Sequence, residues 1–448
     1  MNVVFFAIVA IAFLTASWHQ LHWDGEGDAP MTLLTRGVID AASGSVDLAI
    51  GLIGVMTLFL GLIKIAEAGG LLTVLAKLIR PLMVRLFPDV PPNHPAMGAM
   101  ILNMSANMMG LGNAATPFGI RAMQELNKLN PKQGVATDSM VLFLAINTSS
   151  VTLLPTGVIA IRAAAGSADP AAILPTTLFA TLCATVAGIS AALFYRRFFS
   201  FERATPLPDP LAGLDQALGG TPSATQDSSD AKEQEAPEPL PTMADQGYPA
   251  WVSALALFGF ISLIPLTVLH GETIAPWIIP TLIIGFLTYG MVRRVRIYEV
   301  FVEGAKEGFQ VAVRIIPYLV AILVAVGMFR ASGALGAMVG WLGPITSRFG
   351  LPPEALPMAL LRPLSGSGAF GVMASIINDP DIGPDSYIGY LVTTLQGSTE
   401  TTFYVLAVYF GAVGVRRIRH ALPAALTADI VAIIAAVIAV SWLFGGVA

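Results

Sequence analysis

Two short stretches govern what this chain can fold into. Residues 103–119 read NMSANMMGLGNAATPFG, and residues 362–371 read RPLSGSGAFG. Both lie deep in apolar sequence, yet both are crowded with small and polar residues. A lipid-facing helix cannot look like this. Hydrocarbon offers no hydrogen-bond partner, so irregular polar backbone at membrane depth persists only where protein or a wet cavity covers it. Both stretches are therefore expected to be re-entrant hairpins or broken helices whose tips meet near the bilayer midplane.

Composition agrees with a bilayer. Of 448 residues, 55% are hydrophobic and 12% charged, against about 25% charged in soluble domains. A formal net charge of −5 argues against nucleic acid, which asks for a basic face. The single cysteine, Cys183, sits in an apolar run and is expected to be core or lipid filler. No zinc, haem or iron–sulfur spacing occurs, so neither a metal nor a cofactor is expected. Residues 1–18 lack a basic leader region and a clear cleavage site, which predicts a retained first span rather than a removed signal.

A span needs about 20 apolar residues. That rule predicts spans near 2–18, 45–66, 137–161, 171–195, 250–269, 273–291, 310–330, 387–411 and 421–445, about nine in all. An amphipathic piece is expected at 31–44. A basic amphipathic segment at 70–88, with Lys77, Arg80 and Arg85, is expected along the interface, and 333–349 likewise. The hairpins should occupy 95–120, followed by a polar connector at 121–132, and 354–377. Residues 202–246 are dominated by Pro, Ser, Gly, Asp and Glu and cannot bury a core, which predicts a disordered cytoplasmic linker.

The halves repeat. Gly70 and Pro81 align with Gly333 and Pro344 at one offset, and Asn103 aligns with Arg362. Asn147, Thr148, Ser149 and Ser150 align with Gln396, Gly397, Ser398 and Thr399. Short loops rich in Lys and Arg stay cytoplasmic. Applied to Arg196, Arg197, Arg293, Arg294, Arg416, Arg417 and Arg419, the rule puts the acidic loops at 22–28 and 378–385 outside. Arg162 and Arg348 are the misfits. The expected fold is an all-α polytopic membrane protein with two inverted repeats, each of three spans and one re-entrant hairpin. This is a common design of secondary transporters with a site at the midplane.

At these motifs the sequence resembles a known family. The first half, with GLGNAATPFG at 110–119, resembles spore maturation protein A. The second half, with RPLSGSGA at 362–369 and QGSTETTFYVLAVYFG at 396–411, resembles spore maturation protein B. Both belong to the nucleoside recognition, or Gate, group, which is similar in plan to concentrative nucleoside transporters. The resemblance implies a permease-like core in the bacterial cytoplasmic (inner) membrane, here with both partners fused. It divides the chain into a first span and outer loop (1–30), a first Gate-like repeat (31–201), the linker (202–246), two additional spans (247–296) and a second Gate-like repeat (297–448).

The candidate site follows from polar residues at membrane depth. Asn103, Ser105, Asn107, Asn113 and Thr116 can donate and accept hydrogen bonds around a polar solute; the alternative is that they satisfy only the backbone of their own hairpin. Arg362 needs a partner, because an arginine at helix centre costs about 2.5–3.5 kcal/mol. It could grip an anionic group as a fork or pair with Glu400. The run Ser365, Gly366, Ser367 and Gly368 supplies backbone N–H groups that could cradle a carboxylate or phosphate. Asn147, Thr148 and Ser149 form one polar helix break, and Gln396, Ser398, Thr399 and Glu400 the other. Glu400 is a candidate for a coupling proton or for a cation such as Na+, and Asp429 is a second. The leading reading is a secondary transporter of a small polar or anionic solute, with a homo-oligomer among the expected partners. The alternative is a non-transporting membrane scaffold or regulator on a transporter-like fold. No catalytic constellation is present, so no enzyme is expected.

Overall fold

In the computed structural model the described residues are 2–110, 112–199 and 248–445. The expected linker at 202–246 lies outside them. The described residues form sixteen α-helices, two short 3₁₀ turns and no named strand. The chain is all-α, as its apolar runs require.

Each half begins with a long helix that ends in a sharp bend. In the first half α1 (Asn2–Leu21) leads into α2 (Pro30–Ala68), which bends by 69° into α3 (Leu71–Leu86). Between the halves runs α9 (Ala250–Val292). In the second half α10 (Ile297–Ala331) bends by 75° into α11 (Ala334–Thr346). Gly70 and Gly333 start the bent helices with φ of 85° and 81°. A side chain resists that left-handed backbone and glycine does not, which is why the aligned glycines hold these corners.

Several expectations need correction here. The pieces at 31–44 and 45–66 are one helix, α2. The two additional spans expected at 250–269 and 273–291 are one continuous helix of 43 residues. The single glycine between them, Gly271, costs a helix only about 1 kcal/mol, so the backbone runs through. The connector expected at 121–132 is partly the second arm of a hairpin.

α2 and α10 pack along one another through small residues. A Cβ on Gly308 would lie 2.8 Å from Met56 O and from Thr57 Cα. One on Gly304 would meet Leu60 O at 2.7 Å. Backbones this close leave no room for a methyl group. Gly308→Ala should destabilise the protein by about 1–3 kcal/mol through overpacking, read as a lower unfolding midpoint in detergent.

The hairpins and broken helices come next. The first hairpin is α4 (Pro95–Met108) with α5 (Gly112–Lys128). It is followed by a broken helix, α6 (Asp138–Thr148) and α7 (Thr156–Ala164), and by α8 (Leu174–Tyr195). The second half answers with α12 (Leu356–Leu361) and α13 (Gly366–Ile377), the broken helix α14 (Tyr387–Ser398) and α15 (Thr402–Gly411), and α16 (Ala421–Phe444). Thr137 and Ser386 cap α6 and α14 in the same way, each accepting a backbone N–H three residues on. Such caps satisfy a donor that the helix start leaves open.

Two apolar cores result, and each mixes the halves. Around the first hairpin, Met97, Met100 and Ile101 pack with Phe143 of α6 and with Leu406 and Phe410 of α15. Around the second, Met358, Val372 and Met373 pack with Leu391 of α14 and with Ile159 and Ile161 of α7. α8 and α16 join the cores along an alanine-rich seam. Gly188 is its tightest point, where a Cβ would sit 3.3 Å from Ala428 Cβ, Ala145 O and Ser149 Oγ.

By length and hydropathy, α8 and α16 can each cross a membrane, as can the bent pairs α2–α3 and α10–α11 if each is one span.

The loops at the two ends of α8 are locked across the halves. At one end the segment 416–419 pairs with 134–138. Ala136 N donates to Arg417 O at 3.0 Å, and Arg416 N and Arg417 N donate to Gly134 O at 3.0 Å. Arg419 bridges Asp138 at 2.7 Å and also donates to Phe199 O beyond the end of α8. At the other end Arg162, fully buried, reaches Asp385 at 2.8 Å and Pro384 O at 2.6 Å. It also donates to Ser167, Thr393 and Asp169 O, and its guanidinium lies 4.5 Å from the Tyr390 ring centroid. The arginine that broke the charge pattern is thus a cross-half strut. The two latches stand one helix length apart, about 33 Å for 22 residues.

One latch should respond to pH. Burial, with Arg419 beside it, pushes the His420 imidazole down to about 4. Asp138 opposes this and Arg196 adds to it. The folded protein therefore holds His420 neutral while the unfolded chain binds a proton from about pH 6.5 downward. Stability should be full above that point and fall as pH drops from about 6.5 to about 4. Unfolding midpoints of native protein and His420→Gln across that window would check it, the variant losing part of the slope.

Candidate functional site

Both hairpin tips and both helix breaks come to one place. The first tip turns at Gly110, with φ of 75°. A Cβ there would lie 2.7 Å from Leu154 O, so the tip presses its bare backbone against the first break. Three backbone hydrogen bonds stitch the parts together. Leu153 N donates to Met108 O at 3.0 Å, joining break to tip in the first half. Phe403 N donates to Pro363 O at 3.1 Å, doing the same in the second. Glu400 N donates to Thr148 O at 2.8 Å, joining the two breaks to each other. Breaking a helix frees backbone groups, and a buried one left alone is costly. Here the breaks supply one another.

A cavity of about 240 Å³ opens between these elements. Asn107 and Gly110 line it from the first tip, and Arg362 and Gly366 from the second. Thr152 and Leu154 come from the first break, and Gln396, Thr399 and Glu400 from the second.

The expected site residues divide into three groups. Asn107, Arg362, Gln396, Thr399 and Glu400 face the cavity. Asn107 donates to Asn147 Oδ1 at 3.0 Å, and Tyr409 OH donates to the same oxygen at 3.3 Å. Asn147 itself donates to Phe143 O and is buried, one step behind the wall. The second group serves the frame. Asn103 sits within α4 rather than at the tip. It ties the hairpin arms together through Ala115 O at 2.7 Å and reaches Tyr409 OH at 3.2 Å. Ser105, Thr148, Ser149 and Ser398 return their hydroxyls to carbonyls of their own helices. Ser365 caps α13 by accepting from Gly368 N at 3.0 Å.

The third group lies apart. Ser367 is exposed on α13, and Thr116 is half-buried in α5. The side chain of Asn113 lies outside the described residues.

The charges are unevenly protected. Arg362 is buried, donates to Thr401 Oγ1 at 3.2 Å, and lies 4.0 Å from Glu400. Its Nε has no partner among the described residues. Glu400, expected at membrane depth, is open to the cavity with its side chain 48% exposed. Asp429 is buried in α16, accepts from Thr402 Oγ1 at 2.7 Å, and has no partner for Oδ1 among the described residues. Glu400 and Asp429 are the two carboxylates whose charge acts on Arg362. Among the described residues no group of three His, Cys, Asp or Glu could hold a metal ion.

Sequence reasoning missed Thr401 and Tyr409. Tyr409 is the hub between Asn103 and Asn147, yet an aromatic in an apolar run carries no signal of that role. Thr401 stood in the motif at 396–411 and could have been found as a neighbour of Glu400.

The fold and this meeting of tips and breaks define a class of membrane protein, and the comparisons name it. The family described as nucleoside recognition, Gate, matches residues 49–165 and 312–416, covering one tip and one break in each half. The chain is 50% identical over 167 residues to spore maturation protein B of Bacillus subtilis (strain 168), covering 37% of this chain and 93% of that protein. It is 45% identical over 166 residues to spore maturation protein A of the same organism, covering 37% and 83%. Inner membrane protein YjiG of Escherichia coli (strain K12) is 32% identical over 88 residues, covering 18% of this chain and 55% of that protein. No solved structure matches the chain.

The chain belongs to the nucleoside recognition (Gate) family and is a membrane protein of that family. Its homology to both spore maturation proteins is that of a fused A–B chain.

Proposed function

We propose that this protein is a multi-pass secondary transporter of a small polar solute in the bacterial inner membrane. It carries no enzymatic activity in this reading. The lipid bilayer surrounds the spans, arranged as two inverted repeats of three spans and one hairpin, and a proton or Na+ is the coupling partner. One observation carries the reading: the cavity where both tips and both breaks meet. Polar groups at membrane depth are tolerated where they line such a space, and a permease needs one.

The inverted arrangement draws support from the loops. The basic 416–419 loop joins the 134–138 loop that follows the first hairpin, while the acidic 378–385 loop that follows the second joins Arg162 at the other end. The hairpins in this reading enter from opposite sides. Cysteine labelling from each side tests the topology. Labelling of a cysteine in the 416–419 loop from the periplasm would overturn it.

Uptake into proteoliposomes tests transport. Glu400→Gln should abolish coupled uptake and leave the unfolding midpoint within about 1 °C, because it keeps the shape of a half-exposed side chain and removes its charge. Absence of uptake and of ligand-dependent stabilisation across a broad metabolite panel would favour the scaffold reading.

A further inference from the structure

We propose that the cavity takes a small zwitterion of the size of glycine or alanine, its carboxylate on Arg362 and its ammonium on Glu400. The proposal rests on the transport reading above and narrows its solute from polar or anionic to doubly charged.

The first observation is an ion pair that stops short. Arg362 and Glu400 face the same cavity with 4.0 Å between their nearest nitrogen and oxygen. That is the outer limit of an ion pair and too long for a hydrogen bond. A guanidinium carries five N–H donors. Arg362 is 93% buried by the 7% exposure of its surface, donates to Thr401, and leaves Nε without a partner. Glu400 anchors its backbone N–H on Thr148 and leaves its carboxylate open to the space. Both charged groups therefore line one volume without completing each other's hydrogen bonds.

The second observation is the sign of the charges. A simple anion arriving at Arg362 also meets Glu400 in the cavity wall, with buried Asp429 behind adding its negative charge. A simple cation arriving at Glu400 meets the guanidinium. Each is repelled by half of the site. A molecule carrying both signs a few ångströms apart is opposed by neither. Its carboxylate gives the buried guanidinium the paired hydrogen bonds that it lacks, and its ammonium neutralises Glu400.

The third observation is size. Sites for drug-sized ligands run from about 300 to 1,000 Å³, and this cavity is about 240 Å³. The remaining walls offer the amides of Asn107 and Gln396 and the backbone at Gly110, Gly157, Gly366 and Gly397. Gln396 Oε1 has no partner among the described residues and can accept from an ammonium.

The test uses the full chain in lipid nanodiscs and four probes: alanine, propionate without the ammonium, ethylammonium without the carboxylate, and the uncharged propionamide. Thermal unfolding is followed against the concentration of each. Alanine should raise the midpoint, and the other three should need at least tenfold higher concentration for the same shift. Glu400→Gln, at a half-exposed position that tolerates the change, should bring propionate to within threefold of alanine. Arg362→Lys keeps the charge but loses the fork, and should weaken alanine at least tenfold.

Equal effects of alanine and propionate on the native protein would overturn the proposal. So would no effect of alanine at all, or a Glu400→Gln protein that still prefers alanine tenfold. Proteoliposome uptake of a broad panel separates the two readings. Uptake of a neutral or purely anionic solute, with none of alanine or glycine, overturns the zwitterion and leaves transport standing. No uptake of any solute overturns both.

Discussion

Replacing Arg162 by alanine is expected to destabilise the fold by about 3–5 kcal/mol, the range for removing one partner of a buried ion pair. The side chain is fully buried at the acidic latch. It pairs with Asp385, donates to the carbonyls of Pro384 and Asp169, and stacks near Tyr390. Alanine takes a donor from the Pro384 carbonyl and the charge partner from Asp385, and opens a void the size of the side chain. Unfolding of the purified protein reads the loss. Asp385→Ala should also be costly, because it leaves the fully buried Arg162 guanidinium without its carboxylate. The double variant should recover part of the loss of Arg162→Ala. A midpoint for Arg162→Ala equal to that of the native protein would mean that the two halves are held elsewhere.

Arg362→Ala should cost a comparable amount, and the partner that rescues it is informative. Pairing with Glu400 was the expectation from sequence. Burial assigns the larger dependence to Asp429. Glu400 is open to the cavity and can be hydrated when its partner goes. Asp429 is buried with one oxygen bonded to Thr402 and the other alone. Removing Arg362 takes from it a cation whose charge acts there. Asp429→Asn in the Arg362→Ala background should therefore restore most of the lost stability, and Glu400→Ala should restore little. Neither double variant should recover transport, since the guanidinium fork is gone in both. Rescue by Glu400→Ala instead would return the dependence to Glu400.

The hairpins, the bends and the breaks were all legible in the chain, and for one reason. A membrane makes polar and small residues expensive, so each cluster of them marks an irregular place. The aligned pairs Gly70 and Gly333, and Asn147 and Gln396, fall at equivalent corners and breaks. Helix continuity was less legible. Hydropathy marks where lipid is tolerated but not whether backbone hydrogen bonds run on between two apolar runs, so α2 and α9 each absorbed two predicted pieces. Within the site, sequence could say which residues were polar but not which way they faced. Asn103 and Asn107 lie one helical turn apart in α4, yet one braces the hairpin arms and the other meets the cavity. Arg162 was read as a misfit because its partner, Asp385, lies 223 residues away.

That separation has a consequence for the order in which the protein matures. Ribosomes add about 5–20 residues per second. The acid that completes the Arg162 latch is 223 residues downstream, so it follows by about 11–45 s. Thr148 O waits a similar time for Glu400 N, and α2 for α10. Throughout that interval the first half sits in the bilayer with a charged strut, an open helix break and a glycine-lined helix face still uncovered. Membrane insertion must then tolerate a long-lived half-built state, and a late mutation that slows the second half prolongs it. Joining both halves in one chain keeps the missing counterpart tethered and always in equal number, which shortens the search once it emerges.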